Sequence, residues 1–134
     1  MPPASTRHTP APALAAPWQL TWADGSGNRT RLWQDSPGAP VRWTYIPITP
    51  AESSSGLYSG GEPAEGVVDA EPLAALLAEL LRLEADPDGR APSRMKGTGL
   101  FVLEENGAER AFIVRGDSLG PWRATLERAT PRQE

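Results

Sequence analysis

The chain has 134 residues and a formal net charge of −4, with 13 Gly, 15 Pro, one His, one Lys and no Cys. A chain of this length forms one domain, and without cysteine it has no disulfide framework, thiolate metal site or cysteine nucleophile. The single histidine, His8, lies in a proline-rich segment, so histidine-based acid–base catalysis is not expected. The inventory predicts a protein that is not an enzyme and that binds no metal and no cofactor.

Residues 1–17 contain five prolines and no acidic residue. Prolines at this density interrupt the apolar run of a secretory signal and prevent the amphipathic helix of a transit peptide. We therefore expect a disordered leader over 1–17, one domain over 18–129 and a disordered tail over 130–134. No stretch approaches the roughly 20 apolar residues of a membrane span, which favours a soluble, cytoplasmic protein without membrane contact.

Three strands are predicted first, over 18–23, 29–34 and 41–46, because apolar and polar residues alternate there and turn residues separate them. Pro47 follows the third strand. Since proline lacks the N–H that an interior ladder uses, the third strand, or at least its far end, is expected to be a sheet edge.

After Asp69, which is expected to be an N-cap residue, the spacing of apolar residues changes from that of a strand to that of a helix. Leucines recur at helical spacing up to the Asp86-Pro87 stop, which predicts a helix. Two further strands are expected on either side of Asn106-Gly107, a dipeptide typical of tight hairpin turns, and Pro121 opens a short closing helix. The order βββ-loop-α-ββ-α predicts an α+β fold: an antiparallel sheet of about five strands, covered on one face by both helices.

Four of the five tryptophans lie in the predicted strands and divide into two groups. Trp18, Trp22 and Trp43 share strand faces with apolar residues and are expected in the core. Trp33 alternates out of phase with Leu32 and is expected on the uncovered face of the sheet. Stacking of tryptophans on nucleic acid is not expected, because residues 52–88 hold nine acidic residues against one arginine, and this charge would repel phosphates.

Residues 49–66 show no periodicity, and a connection of this length in a compact domain is either functional or disordered. Serine and glycine supply adaptable hydrogen bonding, and Leu57 with Tyr58 supplies an apolar anchor and an amphipathic ring. Two other interpretations stay open: a loop that buries Leu57 or Tyr58 in the core, and simple disorder. The candidate binding residues are Glu52, Ser53, Ser54, Ser55, Leu57, Tyr58 and Glu62, together with Trp33.

The favoured function is binding of a protein partner through loop 49–66, with the acidic residues contributing if that partner is basic. The order of elements is similar to that of small bacterial inhibitors of metallopeptidases, which implies peptidase inhibition as one form of this function. The alternative is a small hydrolase or transferase that uses Ser53, Ser54 or Ser55 with Lys96 and a carboxylate. A homodimer through a sheet edge or the Trp33 face is compatible with either function.

Overall fold

The computed structural model describes residues 14–52, 56–57, 59–94 and 97–131. Within them, six strands form one antiparallel sheet in the order β4-β3-β2-β1-β5-β6. The strands are β1 Trp18–Ala23, β2 Arg29–Gln34, β3 Arg42–Ile46, β4 Ala64–Val67, β5 Gly99–Glu105 and β6 Ala108–Val114. Helix α1 spans Ala70–Ala85 and lies between β4 and β5 in the chain, and α2 spans Gly120–Ala129.

The α+β class and the antiparallel sheet are confirmed, but the sheet has six strands rather than about five. The additional strand, β4, lies inside the segment predicted to be loop. It pairs with residues 42–45 of β3, so the prediction of an edge strand was wrong for these residues, whereas the far end of β3, at Ile46, has no partner on β4. Gly66 makes this pairing possible, because a Cβ at residue 66 would lie 2.7 Å from Nε1 of Trp43 on β3. Small residues therefore replace the apolar alternation that normally marks a strand.

One face of the sheet carries the core and both helices. Trp18, Trp22 and Trp43 are buried there, as predicted, and helix α1 contributes four buried leucines, Leu76, Leu77, Leu80 and Leu83. Trp122 of α2 completes an aromatic cluster, with ring centroids 5.9 Å from Trp22 and 4.9 Å from Phe101. No helix in these described ranges is long and apolar enough to cross a membrane.

Local sequence signals match the observed ends of the elements. Asp69 occupies the N-cap position of α1, although its side chain makes no capping hydrogen bond. The side chain of Asp86 accepts a hydrogen bond from the Asp88 N–H and starts the 3-10 turn that follows the helix. Asn106 and Gly107 have φ values of 50° and 88°, as a tight hairpin turn requires, and they join β5 to β6.

Residues 14–17, assigned to the leader by sequence, contact the domain. Leu14 is buried with the core, and the Asn106 N–H donates to the carbonyl oxygen of Pro17 at 2.8 Å. The Ala15 N–H donates to Glu105 at 2.7 Å, while Arg110 donates to the other oxygen of that carboxylate at 2.9 Å. The rest of the predicted leader, residues 1–13, and residues 132–134 of the tail lie outside the described ranges.

The Glu105 carboxylate makes the free energy of unfolding depend on pH in the acid range. The Ala15 N–H, and after it Arg110, hold the pKa of Glu105 below its usual range. A lowered folded-state pKa stabilises the protein at pH values above the unfolded pKa, and this stability is lost as the pH falls through the folded pKa. We expect Glu105→Gln to cost about 1 kcal/mol at pH 7 and much less at pH 3.

Urea unfolding at the two pH values measures this dependence. Glu62→Gln, at an exposed position, serves as the control and should change stability at neither pH. An equal loss for Glu105→Gln at pH 7 and pH 3 would show that the carboxylate charge is not what stabilises the contact.

Candidate binding site

The connection between β3 and β4, residues 47–63, is tied to the domain at both of its ends. The Ile48 N–H donates to Asn28 Oδ1 at 2.9 Å, and the Gly60 N–H donates to the Ile48 carbonyl oxygen at 2.9 Å. The Tyr45 hydroxyl donates to the Gly60 carbonyl oxygen at 2.7 Å. These three bonds bring the two arms of the loop together beside the sheet and hold them there.

Asn28, at the end of the β1–β2 turn, is the centre of this anchor and is 5% exposed. Its N–H and its side-chain amide both donate to the Asp24 carboxylate, at 3.0 Å each, and the Ser26 N–H donates to the same carboxylate at 2.8 Å. A Cβ at Gly60 would lie 1.8 Å from Asn28 Oδ1, so only glycine fits against the amide. The turn therefore fixes the position of the loop.

Beyond the anchor the loop carries exposed side chains. Leu57 is 85% exposed, so the interpretation in which Leu57 enters the core was wrong. Glu52 and Glu62, the two candidate acids, are also exposed. The other loop candidates, Ser53, Ser54, Ser55 and Tyr58, lie outside the described residues.

Glu52 closes a 3-10 turn over Pro50–Glu52. The N–H and the hydroxyl of Thr49 donate to Glu52 Oε1 at 3.0 and 2.9 Å. The Thr49 N–H, followed by its hydroxyl, lowers the pKa of Glu52, because both bonds favour the charged form. The turn thus presents a fixed negative charge at the start of the loop.

A cleft of about 850 Å³ opens beside the loop anchor, on the helix-bearing side of the sheet. Trp22, Thr30 and Tyr45 line it from the strands, while Arg123 and Glu127 line it from α2. The cleft thus combines aromatic surface with charges of both signs. Its volume falls within the range of ligand pockets, and its composition suits an extended polar and apolar segment.

The segment that precedes β5 reaches the same end of the sheet. Arg94 donates to the Thr98 carbonyl oxygen at 2.7 Å and to the Asp24 carbonyl oxygen at 3.1 Å. A Cβ at Gly25 would lie 3.1 Å from the Gly97 Cα. Ile48 and Gly97 therefore both lie beside the β1–β2 turn. Ser53, Ser54, Ser55 and Lys96 lie outside the described ranges, and the Ser/Lys enzyme stays a prediction.

Trp33 is separate from the loop. It lies on the uncovered face, as expected, opposite Arg42 at the start of β3, whereas the loop leaves from the far end of that strand. The Arg31 guanidinium carbon lies 4.4 Å from the centroid of the Trp33 ring. The candidate residues therefore fall on two surfaces rather than one.

Sequence reasoning missed the anchor and the cleft. In the sequence, Asn28 has only the local signal of a turn residue, and Tyr45 only that of an alternating strand. Arg123 and Glu127 carry no local signal, because they enter the site only through the position of α2 across the sheet. A buried asparagine that bridges two connections is visible only once the chain is folded.

Among the residues that the structure describes, no group of three or more His, Asp or Glu could hold a metal ion. Comparisons of the chain with protein-family models, curated proteins and solved structures gave no match. The function is therefore argued from the site alone.

Proposed function

We propose that this protein is a non-enzymatic binding protein that engages a protein partner through loop 47–63, with Leu57 as the apolar anchor. The observation that carries the proposal is the 85% exposure of Leu57 on a loop whose two arms are tied to the domain. A partner can bury this leucine without disturbing the core of the monomer, because the side chain is already exposed. Each Å² of apolar surface that the partner buries contributes about 25 cal/mol to binding.

The anchored base supports binding in a second way. Ordering a free loop on binding consumes part of the interaction energy, and a loop held before contact avoids that loss. The bonds among Asn28, Ile48 and Gly60 restrict the arms before any partner arrives. Glu52 and Glu62 add negative charge beside Leu57, which favours a partner with a basic rim.

The cleft provides a second contact. It lies next to the loop base, since Tyr45 both lines the cleft and donates to Gly60. A partner segment that packs against Leu57 can continue into the cleft, where Arg123 and Glu127 offer hydrogen bonds to its backbone and side chains. We therefore expect an extended segment of the partner to be the part recognised.

Leu57→Ser tests the role of the loop. The probe is the tightest peptide selected from a random phage-displayed library on the immobilised wild-type protein. We expect Leu57→Ser to weaken this peptide at least about tenfold, because burial of a leucine contributes about 1.5–3 kcal/mol. The melting temperature should not change, since the side chain is exposed.

Ala51→Ser, an exposed change on the same loop, is the matched control and should leave both affinity and melting unaltered. Equal affinity of the peptide for Leu57→Ser and wild type would exclude the loop as the contact. A point substitution is a more specific test than deletion of the loop, because the deletion would also remove Gly60 and its two hydrogen bonds.

Peptidase inhibition is one specific form of this function. An exposed leucine on a loop with tethered arms suits the active-site groove of a peptidase that prefers large apolar residues. Titration of the protein into a zinc metallopeptidase of that preference, with a fluorogenic substrate, measures it directly. Inhibition by wild type that Leu57→Ser lacks would support this form.

A further inference from the structure

The side of the sheet opposite the helices, named the open face here, has two halves of opposite charge across the five strands from β3 to β6, while Glu65 on the outermost strand, β4, lies on the half that carries the arginines. Arg29 and Arg31 on β2 and Arg42 on β3 lie on one half, because alternate residues of a strand share a face. Glu104 on β5 and Glu109 on β6 lie on the other half and are directly cross-strand from each other. Strand β1 runs between the two halves.

The open face also carries apolar surface. Ile46 and Val67 are 39% and 54% exposed, and they point to this face from β3 and β4. At the outer edge of the acidic half, a hollow of about 320 Å³ is lined by Leu100, Ala111 and Ile113, together with Arg90, Ala91 and Phe112. The described helices pack on the other face, so none of them covers these residues.

We propose that the open face pairs with the open face of a second copy of this chain to form a reversible dimer. Its two-fold axis lies between the faces and runs parallel to β1. This axis sets β3 of each copy over β6 of the other, and β2 over β5, because β2 and β3 lie on one side of β1 and β5 and β6 on the other. Like most homodimer contacts, the interface uses the same patch twice.

The charges favour a two-fold axis parallel to β1 over a two-fold axis that runs across the strands. Arg42, Trp33, Gln19, Glu104 and Glu109 form one cross-strand row. The axis along β1 places Arg42 opposite Glu109 of the second copy, and Trp33 opposite Glu104 of that copy. A two-fold across the strands would set the three arginines of one copy against those of the other, which is repulsive.

Shape agrees with the same arrangement. A second cross-strand row runs through Ile46, Arg29, Ala23, Leu100 and Ile113, in that order. The axis along β1 therefore brings Ile46 of one copy to the hollow lined by Leu100 and Ile113 of the other. The exposed isoleucine fills a cavity in both halves of the dimer.

The overlap comprises five strands, since β4 has no counterpart beyond β6. Strands about 4.8 Å apart and about 20 Å long give about 500 Å² per copy. A total of about 1,000 Å² lies at the lower end of specific interfaces. The dimer is therefore expected to dissociate at micromolar concentrations and to weaken with salt, because exposed charges contribute to it.

Sedimentation equilibrium of the full chain between about 5 and 500 µM tests the proposal at the affinity expected for this area. The mass of wild type should rise from 14.4 kDa towards twice that value. Arg42→Glu and Glu109→Arg should each weaken association at least about tenfold, since each pair occurs twice in the dimer. A wild type that stays monomeric, or variants that dimerise as well as wild type, would overturn the proposal.

Two combinations of these variants test whether residues 42 and 109 meet across the dimer. A mixture of Arg42→Glu and Glu109→Arg chains should form a heterodimer, because each exchanged charge then meets its opposite, and the double variant should dimerise with itself. Arg128→Glu and Glu71→Arg, at exposed positions on the helices, make the same changes in net charge and should not affect association. Failure of both combinations, or equal loss in the helix controls, would contradict the proposed axis.

Trp33 gives an independent readout. The other four tryptophans are 0–4% exposed, whereas Trp33 is only half-buried and lies within the proposed contact. Tryptophan emission should shift to shorter wavelength as the concentration of wild type rises, and it should not shift in Arg42→Glu. A mass increase without this shift would place the contact elsewhere on the protein.

Discussion

Trp122→Ala is expected to lower the free energy of unfolding by about 3–5 kcal/mol. The Trp122 side chain is fully buried, and its ring meets Trp22 and Phe101 edge-on. Removing it leaves a cavity between α2 and the sheet and separates the helix from β1 and β5. Urea unfolding monitored by circular dichroism measures the loss.

Trp122→Phe is the matched change and should cost less than about 1 kcal/mol. The indole Nε1 of Trp122 is buried and has no hydrogen-bond partner among the described residues. Phenylalanine fills most of the space and removes the unpaired donor, so the two effects offset each other. A loss as large as that of Trp122→Ala would show that the indole N–H is hydrogen-bonded in solution.

Asn28→Ala is expected to cost about 2–3 kcal/mol and to release the arms of loop 47–63. The substitution leaves the Ile48 N–H without its acceptor and one oxygen of Asp24 without the amide donor. Hydrogen exchange should therefore become faster at the amides of Ile48 and Gly60 than in the rest of the sheet. The same variant should bind the selected peptide more weakly, because its loop must be ordered on contact.

Gln34→Ala separates this effect from general destabilisation. Gln34 accepts from the Trp18 indole at 2.9 Å and donates to the Ala39 carbonyl oxygen at 2.8 Å, at the end of the sheet away from the loop. It should lower stability without faster exchange at Ile48 and Gly60. Equal exchange rates at those amides in both variants would contradict the anchoring role of Asn28.

The cleft beside the loop anchor and the proposed dimer contact lie on different sides of the sheet. The cleft opens on the helix-bearing side, and the charged halves lie on the open face. A dimer would therefore present two Leu57 loops at once, and a bivalent partner would gain avidity from it. Leu57→Ser tests only the loop, and Arg42→Glu tests only the dimer.

The elements with strong local signals could be predicted from the sequence. Leucine spacing marked α1, Asn106-Gly107 marked the β5–β6 hairpin, and alternation marked β1 to β3. Strand β4 could not be predicted because its residues on the core-facing side, Ala64 and Gly66, are small, and a side chain at residue 66 would collide with the Trp43 ring. Loop 47–63 could be identified as a long connection, but its anchor could not, since Asn28 lies 20 residues before Ile48.

By itself, the sequence determined the fold class, the two helices, the tight turns and the scarcity of catalytic side chains. Each of these follows from composition or from a period within a few neighbouring residues. Only the tertiary structure decided that β4 joins the sheet, that Leu57 stays in solvent, and that Arg42 and Glu109 fall on the same face of the sheet on opposite sides of β1. These features depend on contacts between distant residues, and no local pattern specifies them.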